Sequence, residues 1–296
     1  MTALEFSGPE PFDSTAQLMT QITAQLSSQL TGVALHRRGE SRRETPTVPT
    51  LVAVAHGSRD PEALRTAQAL LDRIRAVRPG LPVRLGHIEL NEPLLGDTLS
   101  GLRGDVVLVP LLLSRGYHVK QDIPQALAGA PHLRGVVAGP LGPHPLLAEA
   151  LHGRLAEAGW RASQGSGAGS GGAARSGVVL AAAGSRDPES ARDTARTAAL
   201  LRRRLGGIPV VPAFATAGPT VTDSVNALLG RGRDLIAVAS CFASPGRFAT
   251  QTAAAAPWLA AAPLGAHPAM ARLVLHRYDQ ALAAAAGPAW EQLATA

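Results

Sequence analysis

The sequence predicts an α/β protein of two tandem domains, each a four-stranded parallel sheet flanked by helices, the pair facing one another across a cleft. Three observations carry that expectation. Apolar, strand-length runs alternate with segments of helical period over most of the chain. The stretch "AHGSRDPE" at 55–62 returns as "AAGSRDPE" at 182–189, the mark of an internal duplication. A Gly/Ser/Ala-rich segment, "RASQGSGAGSGGAARSG" at 161–177, separates the copies and has almost nothing to bury. The length of 296 residues suits two domains of ordinary size, and 3% aromatic content beside abundant Ala suggests small-residue helices on aliphatic strands.

Taken in order, residues 1–48 read as a tail in which "STAQLMTQITAQLSSQL" has the spacing of one amphipathic helix and "HRRGESRRETPTVPT" is polar and basic. The first domain is expected over 49–160. "TLVAVA" is a strand, and "PEALRTAQALLDRIRAVR" is a helix that Asp60 caps and Pro61 opens, where a missing N–H costs nothing. "PVRLGHIEL" is a second strand, "PLLGDTLSGL" a short helix, and "DVVLVPLLL" a third strand. "DIPQALAGA" is helical, "GVVAGPLG" is a fourth strand, and "HPLLAEALHGRLAEAG" is the closing helix. Four such βα units imply right-handed crossovers and helices on both faces of the sheet.

The linker is assigned to 161–177 and the second domain to 178–286, with 287–296 a C-terminal tail. In the second domain, "GVVLAAAGSRDPESARDTARTAALLRRRL" repeats the first strand and helix, with Asp187 and Pro188 in the capping places. "DLIAVASCFASPGRFATQ" parallels "DVVLVPLLLSRGYHVKQ", and "APLGAHPAMARLVLHRYDQAL" parallels "GPLGPHPLLAEALHGRLAEAG".

Several classes are excluded. The single cysteine, Cys241, rules out an internal disulfide and any zinc ribbon or iron–sulfur cluster built from this chain alone, and it reads as a small buried residue. The formal charge of +6 comes without a helix-turn-helix, finger or aromatic RNA-binding signature, so no nucleic acid is expected, and the charge suits polyanionic small molecules better. The sequence has no run of about 20 apolar residues and no basic, apolar leader at "MTALEFSGPEPFDS", so no membrane is expected and the cytoplasm is the expected location. The glycines of 161–177 lack the Lys-Ser/Thr ending of a phosphate loop.

The chemistry-bearing residues gather at one sheet edge. His56 follows the first strand, Glu89 ends the second, and His118 lies in the loop "SRGYHVKQD" after the third, so all three project from the carboxyl ends of the strands, where open α/β sheets bind ligands. Alone, each has an ordinary reading as a turn or surface residue. Together, two imidazoles and a carboxylate suit a divalent transition metal with positions left open for a substrate. His87, on the same strand and face as Glu89 but about 7 Å further back, is read as structural. His144 and His267 recur in "LGPHPLL" and "LGAHPAM" and are read as helix-start features, while His132, His152 and His276 carry no case. In the second copy His56 becomes Ala183, Glu89 falls near Ala215, and His118 becomes Phe248. One working wall and one supporting wall are therefore expected.

"AHGSRDP", the Glu of "HIELNEP", "PLLLSRGYHVKQDIP" and "LGPHPLL" resemble the sirohydrochlorin chelatases, class II chelatases that insert Fe2+ or Co2+ into sirohydrochlorin for sirohaem or cobalamin. The resemblance is strong over 50–160, degraded over 178–286, and does not cover the tail or linker. It implies the fused, long form, acting as a monomer with a pseudo-dimeric repeat. It also implies that His56, Glu89 and His118 bind the metal, with His56 and His118 as catalytic proton acceptors and no permanently bound cofactor. Sirohydrochlorin carries eight carboxylates, for which Arg59, Arg115 and Lys120 are the candidate contacts; Ser58 and Ser114 are candidate substrate contacts whose favoured reading is turn capping. Iron is favoured over cobalt only because sirohaem is the more widely needed product, since His/Glu ligation accepts both. A metal carrier without catalysis is the alternative.

Overall fold

The computed structural model describes residues 48–161 and 171–285. The expected N-terminal helix, most of the linker and the C-terminal tail lie outside the described residues.

In the first half, β1 (Thr50–Ala55), β2 (Val83–His87), β3 (Gly104–Pro110) and β4 (Leu133–Val137) form a parallel sheet in the order β2-β1-β3-β4. Its helices are α1 (Pro61–Val77), α2 (Leu95–Ser100), α3 (Ile123–Ala128) and α4 (Pro145–Glu157). In the second half, a short helix α5 (Gly171–Arg175) leads into β5 (Ser176–Ala182), which forms a second parallel sheet with β6 (Val210–Phe214), β7 (Leu235–Ser240) and β8 (Leu259–Ala260) in the order β6-β5-β7-β8. Helices α6 (Pro188–Arg204), α7 (Val221–Leu229), α8 (Arg247–Ala254) and α9 (Pro268–Ala285) complete it.

The expected α/β duplication is thus present, with one boundary corrected. The segment read as linker to 177 already contains α5 and the start of β5. Ser176 and Gly177 pair with Leu235 and Ile236 in the ladder, and Arg175 is tied to Asp234 by an ion pair. Both long first helices start as expected: Asp60 and Asp187 each accept the backbone N–H two residues on, at 2.9 Å, and a proline opens each helix.

Alternation along the central strands builds three cores. Leu51 and Ala53 of β1, Val107 and Val109 of β3, Val178 and Leu180 of β5, and Ala237 and Ala239 of β7 all face one shared core. The alternate residues Val52, Val54, Val106 and Leu108 fill an outer core under α2 and α3, and Val179, Ala181, Ile236 and Val238 fill a matching one under α7. Both faces of each sheet are covered, which is why these strands read as continuous apolar runs instead of an apolar–polar alternation. The shared core is closed by helices of both halves, α4 against α6 and α9 against α1 and α4. Arg78, the C-cap of α1, reaches Asp279 of α9 through two hydrogen bonds of 2.6 and 2.7 Å, and the Tyr278 hydroxyl donates to the Pro49 carbonyl at 2.6 Å.

Candidate active site

Each sheet places its first strand between the second and the third, so the chain crosses over in opposite directions on either side of β1. The crevice at that switch point, beyond the carboxyl ends of β1 and β3, is where open α/β sheets take ligands. A cavity of about 1030 Å³ lies there, lined by residues of both halves.

The first-half wall carries the three expected residues. His56 follows β1 directly. β2 ends at His87, two residues short of Glu89, but the pairing continues: Ile88 N–H donates to the Ala55 carbonyl at 2.9 Å and Glu89 N–H to the His56 carbonyl at 3.0 Å. Glu89 is therefore laid beside His56, with His56 Nδ1 3.4 Å from Glu89 Oε1. Gly57, at φ +103°, makes this approach possible, because a Cβ there would sit 1.8 Å from the Glu89 carbonyl oxygen. Leu90 follows at φ +66°, a strained conformation for a non-glycine residue, beside the candidate metal ligand Glu89.

His118 was expected in a loop, but it opens a π-helical turn, His118–Asp122, that runs into α3. Such turns recur at functional sites. The turn sets His118 and Asp122 four residues apart on one side, and His118 Nδ1 meets Asp122 Oδ2 at 2.5 Å. A carboxylate on one ring nitrogen fixes the ring and leaves Nε2 for a ligand. The His56 and His118 rings lie edge to face with centroids 4.6 Å apart. Among the described residues, no group of three or more His, Cys, Asp or Glu side chains is drawn together closely enough to hold a metal ion. The three residues converge pairwise, in an open arrangement.

The second-half wall lacks these groups. Ala183 takes the place of His56. The backbone bonds from Ala215 to Ala182 and from Thr216 to Ala183 repeat those of Ile88 and Glu89, so Thr216, one residue beyond the expected Ala215, is the counterpart of Glu89. Lys120 N–H donates to the Gly116 carbonyl as Thr250 N–H does to that of Gly246, which sets Phe248 opposite His118.

Of the candidate substrate contacts, Ser58 takes the turn role: its Oγ accepts from Asp60 N–H at 3.1 Å, while its own N–H donates to Asn91 Oδ1 at 2.6 Å. Ser114 Oγ instead lies 2.9 Å from Ser190 Oγ of the other half. Arg115 and Lys120 meet protein carboxylates and do not stand free for a ligand. Arg115 donates to Asp193 and Glu189, and Lys120 Nζ lies 2.6 Å from both Asp187 and Glu189. Hydrogen bonds donated by Lys120 to Asp187 and then Glu189 raise the Lys120 pKa, and Lys120 holds both carboxyls below their usual range. Arg59 lines the cavity from an exposed position, and so does Arg247, which sits with its guanidinium carbon 4.8 Å from the Phe248 ring centre.

Arg247, Asp122 and Asn91 were not singled out from the sequence. The four-residue spacing of His118 and Asp122 was the one signal that could have found a member of this set.

Three further histidines, His87, His144 and His267, behave as structural groups. His87 is 2% exposed; burial lowers its pKa, and its ring Nδ1 lies 3.1 Å from the Pro93 carbonyl, to which it donates. His144 and His267 cap α4 and α9, each Nδ1 accepting a backbone N–H at 3.1 Å. Cys241 is buried, which pushes its thiol up to about 12.

This fold and this one-sided wall define a duplicated chelatase-like protein. The CbiX family model matches residues 50–158 and 177–281, one match for each half, and the chain belongs to that family of sirohydrochlorin chelatases. A sirohydrochlorin cobaltochelatase of Methanosarcina barkeri is 30% identical over 123 residues, covering 36% of this chain and 95% of its own length. A sirohydrochlorin ferrochelatase of Bacillus subtilis is 31% identical over 183 residues, covering 58% of this chain and 66% of its own. Among solved structures, SirB from Bacillus subtilis with Fe3+ superposes with a TM-score of 0.64 at 23% identity, covering 81% of this chain and 98% of that one. CbiX, described as the terminal enzyme of sirohaem biosynthesis in denitrifying bacteria, superposes with a TM-score of 0.57 at 20% identity, covering 78% and 99%. These two superpositions speak to the fold. Among the described residues no helix is long and apolar enough to cross a membrane.

Proposed function

We propose that this protein inserts a divalent metal, Fe2+ foremost and Co2+ as the alternative, into sirohydrochlorin, acting in the cytoplasm as a single chain. The observation that carries the reading is the meeting of His56, Glu89 and His118 on one wall of a 1030 Å³ cavity whose other wall presents Ala183, Thr216 and Phe248. That volume is at the top of the range of roughly 300–1,000 Å³ usual for small-molecule sites, as a tetrapyrrole requires.

In the proposed reaction the metal is a substrate. It binds the two imidazoles and the carboxylate, and must be held loosely enough to be passed on. The macrocycle lies between the walls, its carboxylates towards the exposed cations Arg59 and Arg247. As the metal passes to the pyrrole nitrogens, two N–H protons must leave. The lone pairs that His56 and His118 regain on releasing the metal accept them. Glu89, beside His56, offsets the positive charge that develops on that ring. No electron moves: one divalent ion enters and two protons depart. A carrier would have no need of a tetrapyrrole-sized cavity.

The test is anaerobic absorbance of sirohydrochlorin mixed with Fe2+ or Co2+, with wild type, His56→Ala and His118→Ala read against the uncatalysed rate. Acceleration by wild type and its loss in both variants is expected, with the faster metal naming the substrate. A folded protein that accelerates neither metal would overturn the reading and favour the carrier.

A further inference from the structure

We propose that the second half takes part in the reaction as a clamp, with Asp193 the central positioning residue that holds the His118 turn through Arg115; this rests on the chelatase reading above. Asp193 has no exposed side-chain surface. Both of its oxygens are taken by one residue of the other half: Oδ2 accepts from Arg115 Nε at 2.9 Å and from Arg115 backbone N–H at 3.0 Å, and Oδ1 accepts from Arg115 Nη2 at 2.7 Å. A buried carboxylate is tolerable only when paired and hydrogen-bonded in this way. Burial alone would raise the Asp193 pKa, but the Arg115 hydrogen bonds prevail and hold it below the usual carboxylate range.

The clamp grips on either side of the histidine. Three residues before His118, Arg115 is fixed by Asp193 and by Glu189 at 2.8 Å, while Ser114 meets Ser190; two residues after it, Lys120 is fixed by Asp187 and Glu189. All the second-half partners belong to α6 or its capping residue. Pinned at both ends by a rigid helix, the turn has little freedom, and the His118 ring is held towards His56.

The arrangement is one-sided. The second-half loop has Pro245 and Thr250 where the first has Arg115 and Lys120, and α1 offers Ala63 and Thr66 where α6 offers Ser190 and Asp193. Neither Pro245 nor Thr250 can supply the missing cation. The half that lost its own ligands therefore holds the clamp for the half that kept them, and Arg115 and Lys120 serve position more than substrate binding.

The test uses the full chain with Co2+ alone as probe, followed by visible absorbance, alongside kcat and KM for sirohydrochlorin. Asp193→Asn keeps the shape and removes the charge. Expected is a Co2+ affinity lower by about tenfold and a kcat lower by about 10–100-fold, the range seen when a partner that orients a ligand is lost, with KM changed less than threefold. Adding Asp193→Asn to His118→Ala should cost little more than His118→Ala alone, because Asp193 acts through His118. Glu189→Gln, on the partly exposed side of the clamp, makes the same test with less demand on folding and should show the same pattern more weakly. Folded variants with wild-type Co2+ spectra and kcat, or losses that simply add to those of His118→Ala, would overturn the clamp alone. Failure of the folded wild type to accelerate insertion of either metal would overturn the chelatase reading and the clamp with it.

Discussion

Replacing Gly57 by alanine tests how the first strand and the candidate carboxylate are joined, and the duplication supplies its own control in Gly184→Ala. Both glycines have positive φ, +103° and +89°, so each alanine pays about 1–2 kcal/mol for a conformation that L-residues avoid. The surroundings then differ. At Gly184 the new Cβ would meet the Thr216 hydroxyl at 2.8 Å, which can rotate away at the loss of its hydrogen bond to the Ala183 carbonyl, about 1 kcal/mol. At Gly57 the Cβ would fall 1.8 Å from the Glu89 carbonyl oxygen, where contacts of about 3.3 Å are normal. Backbone must move by roughly 1.5 Å, taking with it the bonds Glu89 N–H to His56 and Asn91 N–H to Glu89, each worth about 1 kcal/mol. Gly57→Ala should then cost about 3–4 kcal/mol and Gly184→Ala about 2–3 kcal/mol. The misplaced Glu89 should lower chelation by about 10²-fold in Gly57→Ala alone. Urea unfolding of the three proteins and the sirohydrochlorin absorbance assay read both effects. Equal destabilisation, or a folded Gly57→Ala with wild-type rate, would refute the link from Gly57 to Glu89.

Three further outcomes are expected. His144 caps α4 through a ring nitrogen that must stay unprotonated, and burial, with the charges of Arg277 and His276, lowers its pKa to about 4. The unfolded chain binds that proton from about pH 6.5 downwards and the folded one does not, so stability falls between pH 6.5 and 4 and then levels off, by an amount on the order of 2 kcal/mol after allowance for partial exposure. His144→Asn keeps an acceptor and cannot titrate, and denaturation at pH 7 and pH 4.5 should show a smaller loss than in wild type. Arg59→Ala and Arg247→Ala should raise KM for sirohydrochlorin several-fold with kcat little changed, an effect that shrinks in high salt; an unchanged KM in both would remove these cations from substrate binding. Cys241, with its thiol pushed up to about 12, should resist a thiol reagent until urea unfolds the chain, and rapid labelling of the native protein would contradict its burial.

The α/β alternation was legible because strands covered on both faces are continuously apolar, and because Asp60–Pro61 and Asp187–Pro188 mark two helix starts. His56, Glu89 and His118 could be placed together because a parallel sheet sends every strand end to one edge. What the sequence hid is contact over distance. Arg115 reads as a surface cation beside a histidine; nothing local reveals Asp193, 78 positions on, against it. The turn at His118 looked like a loop because its glycine and polar residues resemble one, yet it winds as a π-helical turn and recruits Asp122. Glu89 lay beyond the strand proper because β2 stops at His87, although two further backbone bonds still hold the register. Thr216, one place past the expected counterpart, appeared only when those same bonds were matched in the second half.

The shared core has a consequence for working concentration. Leu51, Val107, Leu180 and Ala239 come from both sheets and lie in one cluster. If the two walls were separate chains with a dissociation constant near 1 μM, most would drift apart at nanomolar levels and the cavity would vanish with them, whereas joining them sets an effective concentration on the order of millimolar. Catalysis per molecule by the joined chain should therefore be the same at nanomolar as at micromolar protein, and a scarce enzyme would lose nothing by being scarce.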